Sequence, residues 1–437
     1  MVSVMEQPTS AQSLCWRYGS GDPLTLDNCA THNVTQFKIA NTDPKRTLVT
    51  QEFPFLLACV RRFFDPGAPQ PTAAALDWRK LIQLAERHAV VALFCQAIRA
   101  RDDVPLDILD DLQRRALTAA RFDLTLSAEL GRLLKLFEAE EIQVVSLKGP
   151  ALRNILYGDA ALRSSTDLDF LVRPEDVLRA KRALEGAGYY MQSILPSDAD
   201  GACLRRRDCQ ITLSREITEQ DDLLFVDLHW RLLPGYFPRF FDEHALWGHL
   251  RQVSVAGTVV PTFSSEHLLL FLCAHGTKHL WQRLGWLCDI ARLVQVEPGI
   301  DWTRVFSEAR QTDTTRMVVL ALLLASELLG ISIPPATVEY SNDSGARELV
   351  ETIRQRLHDE ILTPAAAMES ASFSRRAFES TGHRVRYLLG IFLEPTEAEY
   401  EALKLPLPLH WLYYFFRPLR LAVKYARLGF VIRDEPE

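Results

Sequence analysis

The chain has 437 residues, of which 48% are hydrophobic and 24% are charged. That length suggests roughly two to four domains, and that composition excludes a disordered or collagen-like chain. Lysine and arginine number 49 against 56 aspartate and glutamate, a net charge of -7. This balance excludes a protein that coats nucleic acid, so a polyphosphate would have to bind through a metal ion or a small basic patch.

Cysteine usage and export signals bear on the compartment of the protein. The eight cysteines form no CxxC pair, which excludes a zinc ribbon or a thioredoxin motif. So few cysteines in a long chain are typical of buried thiols in a reducing compartment. The N-terminus lacks a signal-peptide pattern, and the longest apolar stretch, residues 317–329, is too short to cross about 30 Å of hydrocarbon. We expect a cytoplasmic protein without a transmembrane segment.

The N-terminal third predicts helices and carries no chemical motif. Residues 1–48 are polar and lack periodicity, which indicates a flexible or loosely packed N-terminal arm. Apolar residues at helical spacing follow over 73–100 and 106–140. They predict a helical N-terminal segment at 49–140, with a break inside its long second run.

The hydrophobic pattern changes from helical spacing to strand-like runs near residue 142. These runs predict an α/β core at 141–262, and helical spacing returns in a C-terminal domain at 263–437. The fold class predicted is α+β, a small β-sheet core with helical N-terminal and C-terminal segments. The strands predicted in the core are 142–149, 166–172, 210–214 and 223–230.

Asp167 and Asp169 are the first candidate chemical site. In a strand, residues i and i+2 project from the same face with Cα atoms about 6.5 Å apart. Two carboxylates at that spacing are suitable ligands for Mg²⁺, with Mn²⁺ as the alternative ion. A pair of such ions can clamp the attacking and leaving oxygens of a phosphoryl transfer. A solvated aspartate pair on an edge strand is the competing interpretation.

Two neighbouring features add weight to the metal-site interpretation. Asp227 lies in an otherwise apolar strand, where a buried carboxylate is costly unless it is paired or bound to metal. An edge strand that exposes Asp227 to water is the alternative. Lys148 and Gly149 end a strand just before a helix, where backbone N–H groups can hold phosphate oxygens.

These segments resemble a known family. LKGPALRNILYGDAALRSSTDLDFLV at 147–172, VDLHWRL at 226–232 and LLLFLCAHGTKHLWQRLGWLCDIARLV at 268–294 are similar to the uncharacterised nucleotidyltransferase family of the DNA polymerase β-like superfamily. The resemblance covers about residues 52–330. It implies a small mixed β-sheet nucleotidyltransferase core and a magnesium-dependent, nucleotide-binding enzyme.

The resemblance also implies roles for individual residues. Asp167 and Asp169 become metal ligands, and Asp227 becomes the third catalytic acid, as a metal ligand or as the base that activates an acceptor hydroxyl. Lys148 and Gly149 stand where the superfamily has Gly-Ser, a departure at the triphosphate site. The residues placed to compensate are Arg163, Ser164 and Ser165.

Histidines and a buried-looking acid complete the candidate site. His229 shares a strand face with Asp227 and is placed to orient it or to contact phosphate. His275 and Lys278 are predicted to line the nucleotide cleft, although His275 and His279 are also spaced to chelate zinc. We expect Asp289, on an apolar helix, to pair with an arginine such as Arg283.

Two further segments leave several interpretations open. The run 205–207 is three arginines, either solvated or in contact with an anionic substrate. The C-terminal region from residue 405 is unusually aromatic. It is either core, a surface for a protein partner or an interfacial membrane contact.

The leading functional prediction is a Mg²⁺-dependent nucleotidyltransferase that moves a nucleotidyl group from an NTP, ATP included, to a small-molecule or peptide acceptor. The sequence has no extended basic stripe, so long nucleic acid is not expected as a partner. A nucleotide-sugar-dependent transferase is one alternative, because such enzymes also use a DxD motif. The other is a non-catalytic nucleotide-binding partner protein in a biosynthetic cluster.

Overall fold

The structure, a computed structural model, describes residues 51–73, 75–158, 161–191, 209–217, 222–242, 246–340, 342–358, 366–403 and 405–431. The predicted N-terminal arm at 1–48 and the arginine run at 205–207 lie outside the described residues. Within those residues, no helix is long and apolar enough to span a membrane.

A five-stranded mixed sheet forms the centre of the molecule, with the strand order β1-β2-β5-β4-β3. Strands β2 and β5 are parallel, and every other neighbouring pair is antiparallel. A separate hairpin, β6-β7, packs beside β1, where Thr262 Oγ1 donates to Ser146 O at 2.8 Å. The strands are β1 Val144–Ser146, β2 Asp167–Val172, β3 Tyr190–Met191, β4 Gln210–Ile217, β5 Asp222–His229, β6 Arg251–Val255 and β7 Thr258–Thr262.

Helices precede, interrupt and follow the strands, so the chain has the mixed helix-and-sheet class expected from the sequence. Among the described residues, four helices precede the sheet: α1 Glu52–Phe64, α2 Trp78–Arg87, α3 Val91–Ile98 and α4 Leu106–Ala139. Two described helices lie between strands: α5 Gly149–Tyr157 and α6 Val177–Gly186. The rest follow the hairpin: α7 Ser265–Lys278, α8 Leu284–Val296, α9 Trp302–Gln311, α10 Thr315–Leu329, α11 Ser344–His358, α12 Ala366–Ala377, α13 Thr381–Leu393, α14 Glu397–Ala402 and α15 Tyr413–Val431, with 3₁₀ turns at Pro335–Tyr340 and Leu407–Leu412.

Helix α4 corrects one prediction. It runs unbroken for 34 residues, so the break expected inside this segment is wrong. The glycine within it, Gly131, serves packing: a Cβ there would lie 2.9 Å from Thr258 Oγ1 of the hairpin. Its lack of a side chain lets the hairpin approach the helix, and proline, the strongest helix breaker, is absent from the run.

The sheet uses its two faces for different purposes. Apolar side chains on one face, among them Leu168, Phe170 and Val226, pack on α4 and α6 in a core of their own. The rings of Phe170 and Phe137 of α4 meet edge to face with centroids 5.3 Å apart. Alternation along β2 and β5 therefore sends the aspartates to the opposite face.

The helical segments on either side of the sheet share a second hydrophobic core. Hydrogen bonds to backbone oxygens also join them: the Gly285 amide donates to His88 O at 2.9 Å, and the Gln295 side chain donates through Nε2 to Phe64 O at 2.9 Å. The helices before the sheet therefore pack directly on those after it. The exact domain boundaries stay a prediction.

Candidate active site

The three predicted acids lie on one face of the sheet, on its two parallel neighbours. Asp169 of β2 stands directly opposite Asp227 of β5, and Asp167 lies one strand repeat earlier on β2. Strand β5 lies between β2 and β4, and Asp227 is only 3% exposed. The alternative of a water-facing Asp227 on an edge strand is therefore wrong.

Asp169 is buried among cationic and imidazole groups. Its Oδ1 lies 3.2 Å from His229 Nε2 and 3.5 Å from Lys148 Nζ. Burial acts to raise the pKa of Asp169, but the Lys148 ammonium and His229 outweigh burial and hold the pKa below its usual range. Its second oxygen, Oδ2, is buried and has no hydrogen-bond partner in the described part of the chain. Asp169 is therefore an ionised carboxylate with one oxygen available to a ligand.

Asp227 is held by strand β4. Thr212 Oγ1 donates to its Oδ1 at 2.5 Å, and Gln210 Nε2 donates to its Oδ2 at 3.0 Å. Burial and the neighbouring charge of Asp169 raise the pKa of Asp227 to about 7. Burial, together with Asp169 and Asp227, also raises the pKa of Asp167 to about 7. Without a counter-ion, the three acids repel one another.

This donor set suits a divalent cation. Ligand atoms of Asp169, Asp227 and His229 lie within 4.8 Å of one another, and all three residues are buried. Carboxylate oxygens are the ligands that Mg²⁺ and Mn²⁺ prefer. The unpartnered Asp169 Oδ2 and the repulsion among the acids fit an ion at this position. The sequence predicted Asp167 as a metal ligand; the structure brings His229 into the close cluster and leaves Asp167 at its edge.

The turn from β1 into α5 faces these acids. Gly149 has φ +63°, and a Cβ there would lie 3.1 Å from the backbone oxygen of Asp167. Both facts require glycine, because an L side chain is strained at that φ and has no room against β2. Pro150 follows at the first turn of α5. The first N–H groups of α5 have no partner within the helix and are available to an anion in the cleft.

One cleft above this sheet face is lined by every residue that the sequence nominated for catalysis or nucleotide binding. Helices α7 and α8 supply its opposite wall. The nominated residues are Asp167, Asp169, Asp227, Lys148, Gly149, Arg163, Ser164, Ser165, His229, His275 and Lys278.

A family model described as "Uncharacterised nucleotidyltransferase" matches residues 74–330, more than half of the chain. The chain belongs to this family. It is accordingly an enzyme of the nucleotidyltransferase class. Among solved structures, the chain matches the lincomycin-bound crystal structure of the lincosamide antibiotic adenylyltransferase LnuA at 16% sequence identity. The match covers 39% of this chain and 96% of that chain. Its TM-score of 0.25 is too low to support a conclusion about this chain. No curated protein matches the sequence.

Some nominated residues of this nucleotidyltransferase already have structural partners. Arg163 Nε donates to both carboxylate oxygens of Asp289, at 2.9 and 3.2 Å. Asp289 therefore pairs with an arginine as expected, but the partner is Arg163, which reaches Asp289 from the loop before β2, and not Arg283. The Ser165 amide donates to Asp123 of α4 at 3.1 Å. These contacts fix the loop that leads into β2.

His275 and His279 form an aromatic wall with Trp286. Their ring centroids lie 4.6 Å apart, and each lies within 5.4 Å of the Trp286 ring. Burial and nearby cations, Lys148 and Lys278 among them, lower the pKa of both histidines, so both are neutral at pH 7. The described residues place no third metal ligand beside this pair.

Three residues of the site were not identified from the sequence. Thr212 and Gln210 support Asp227, but their role depends on the pairing of β4 with β5, across a long connection. Their alternation with apolar residues was the available signal. Arg283 lines the cleft, and its pKa is lowered by burial although Asp167 opposes the shift. Because the sequence suggested Arg283 as a structural partner of Asp289, Arg283 was not predicted to line the cleft.

Proposed function

We propose that this protein transfers a nucleotidyl group from an NTP, ATP being the first candidate, to a hydroxyl of a small-molecule or peptide acceptor in a reaction that requires Mg²⁺ or Mn²⁺. The observation that carries the proposal is the juxtaposition of Asp169 and Asp227 on adjacent parallel strands, with Asp169 Oδ2 unpartnered in the described chain. The family membership supports the reaction class.

The acids and His229 would hold the ion. Asp167, Asp169 and Asp227 present carboxylate oxygens on one face, and His229 lies beside them. A divalent cation bound there would polarise the α-phosphate and neutralise the pyrophosphate that leaves. The carboxylates would no longer repel one another once the ion is bound.

The other cleft residues bind phosphate, and Asp227 takes the proton. Lys148 and the first amides of α5 hold phosphate oxygens, and Lys278 supplies a second ammonium from the opposite wall. The acceptor oxygen attacks the α-phosphorus, and the bond from that phosphorus to the bridging oxygen breaks. Pyrophosphate leaves with the bonding electrons, and the acceptor proton passes to a carboxylate oxygen of Asp227.

The architecture argues against the nucleotide-sugar alternative. That class requires a nucleotide-binding βαβ unit ahead of its DxD motif. In the described chain, the residues before β1 form helices α1 to α4 and no strand. The non-catalytic alternative would be favoured by loss of an acid, yet all three acids line the cleft.

Asp169→Asn tests the proposal. The substitution keeps the shape of the side chain and removes its charge, so we expect Mg²⁺-dependent ATP binding, measured by calorimetry, to be lost while thermal melting shows an intact fold. Asp102→Asn, the same change at an exposed acid on the surface, is the matched control and should bind as wild type does. The proposal would be refuted if Asp169→Asn bound Mg²⁺–ATP with unchanged affinity. It would also be refuted if the wild type bound ATP equally well with Mg²⁺ and with EDTA.

A further inference from the structure

A second cavity adjoins the catalytic cleft. Leu232, Leu233 and Phe271 line both of them, so the two share one apolar wall. The remaining walls come mostly from the segment after β5 and from α13. Arg231 of this cavity follows His229 by two residues, which places their Cα atoms at most about 7 Å apart. A ligand in the second cavity would therefore lie next to the acids.

Aromatic contacts fix the walls of this cavity. Phe237 packs edge to face on Phe378 and on Tyr387, with ring centroids 5.5 and 5.3 Å apart. Phe241 stacks on His267 of α7 at 4.5 Å. The segment after β5 is therefore anchored to α7 and α13 although it has no regular structure. A pocket held this way exists before a ligand arrives, which lowers the entropic cost of binding.

The charge of the cavity has one sign. Arg231, Arg239 and Arg386 line it, and no described aspartate or glutamate does. Within the described residues, none of these three arginines forms a salt bridge. By contrast, Arg163 in the cleft is already paired with Asp289. All three arginines are exposed to solvent. Guanidinium groups bind carboxylate and phosphate oxygens in bidentate fashion.

We infer that this cavity binds the acceptor through an anionic group, a carboxylate or a phosphate joined to an apolar or aromatic body. The arginines hold the anion, the phenylalanine-rich walls hold the body, and the acceptor hydroxyl extends past Leu232 and Leu233 towards Asp227. The identification of this ligand as the acceptor rests on the proposed function. The anion site itself stands on the charge and shape of the cavity.

The test uses the full chain and three naphthalene probes. 1-Naphthyl phosphate and 2-naphthoate are anionic, and 2-naphthol is neutral. By calorimetry, we expect at least one anionic probe to bind with a dissociation constant below about 1 mM, and 2-naphthol at least tenfold more weakly. Arg231→Gln and Arg386→Gln, singly and together, should weaken the anionic probe, the double variant by roughly ten- to a hundredfold. Arg182→Gln, at an exposed arginine on α6 outside the cavity, should leave it unchanged.

Competition locates the probe. Saturating Mg²⁺–ATP should leave probe binding in place, since the nucleotide occupies the adjoining cleft. Displacement of the probe by Mg²⁺–ATP, equal binding of 2-naphthol, no binding of either anion, or full affinity in the arginine variants would each overturn the inference. Mg²⁺–ATP binding by wild type, measured in parallel, separates the two proposals. Its absence refutes the proposed function, whereas its presence without probe binding refutes only the anion pocket.

Discussion

Replacing Asp227 by asparagine should stabilise the metal-free protein, and the effect should depend on pH. Asp227 is 3% exposed and accepts hydrogen bonds from Thr212 and Gln210. Asparagine keeps the shape and an oxygen for the Thr212 hydroxyl, while removing a charge that burial and Asp169 disfavour. The same substitution that costs turnover should therefore yield a more stable fold.

The magnitude follows from the shift in the pKa of Asp227. Folding raises that pKa to about 7, about three units above the ordinary value of aspartate, and each unit corresponds to about 1.4 kcal/mol. The ceiling is therefore about 4 kcal/mol, and weaker hydrogen bonds from Asn reduce the expected gain to roughly 1–3 kcal/mol. Between about pH 4 and pH 7 the folded state holds a proton that the unfolded state has lost, so the stability of the wild type falls with rising pH across this window and levels off above it.

Thermal melting in EDTA from pH 4 to pH 8 measures this difference. The Asp227→Asn variant should match wild type near pH 4 and melt several degrees higher above pH 7, since 1 kcal/mol is about 2–4 °C for a cooperative unit of 150–250 residues. Saturating Mg²⁺ should raise the melting temperature of the wild type alone and narrow the gap. Asp289→Asn is the control, because it breaks the buried pair with Arg163 and should destabilise. An Asp227→Asn variant less stable than wild type at pH 8, or a gap independent of pH, would refute the reasoning.

Three further predictions concern the glycine turn, the buried ion pair and the acceptor class. Gly149→Ala should lower both stability and Mg²⁺–ATP affinity. Gly158→Ala, at φ +61° and ψ -132° with no described atom within 4 Å, should lower stability by about 1–3 kcal/mol through backbone strain and leave Mg²⁺–ATP affinity unchanged; melting and calorimetry compare the two. Arg163→Met should lower the melting temperature sharply, because it leaves the buried charge of Asp289 unpaired, which costs about 3–5 kcal/mol. The double variant Arg163→Met/Asp289→Asn should regain part of the lost stability. An equal loss of melting temperature in the single and the double variant would contradict the pairing. Single-stranded and duplex RNA and DNA should bind no tighter than micromolar at about 150 mM salt, and submicromolar, salt-sensitive binding would move nucleic acid to the front.

The catalytic face was predictable because its signal is local. Because side chains alternate along a strand, Asp167 and Asp169 must share a face. A carboxylate in an apolar strand, such as Asp227, needs a partner wherever that strand lies in the sheet. A glycine between a strand and a proline-initiated helix likewise marks a turn whose backbone N–H groups can bind phosphate. Each inference needs only a few consecutive residues and the geometry of a strand or helix turn.

The partners of these residues were not predictable, because they depend on which strands and helices become neighbours. Thr212 supports Asp227 only because β4 pairs with β5 in one register, and a shift by one residue would turn it to the other face. Arg163 and Asp289 lie 126 residues apart, and sequence proximity pointed to Arg283 instead. The packing role of Gly131 likewise depends on the hairpin, which lies far along the chain and approaches α4 at Thr258.

In our two proposals, chemistry and acceptor recognition belong to separate, adjoining cavities. The acids lie on β2 and β5, and β5 is flanked by strands on both sides, so their positions are fixed by backbone hydrogen bonds. The arginines lie on the irregular segment after β5 and on α13, where side chains can change without disturbing the sheet. Substitutions at Arg231 or Arg386 should therefore alter acceptor affinity and leave Mg²⁺–ATP affinity alone, whereas substitutions at Asp169 should do the reverse. A variant at either place that moved both affinities together would show that the two cavities act as one site.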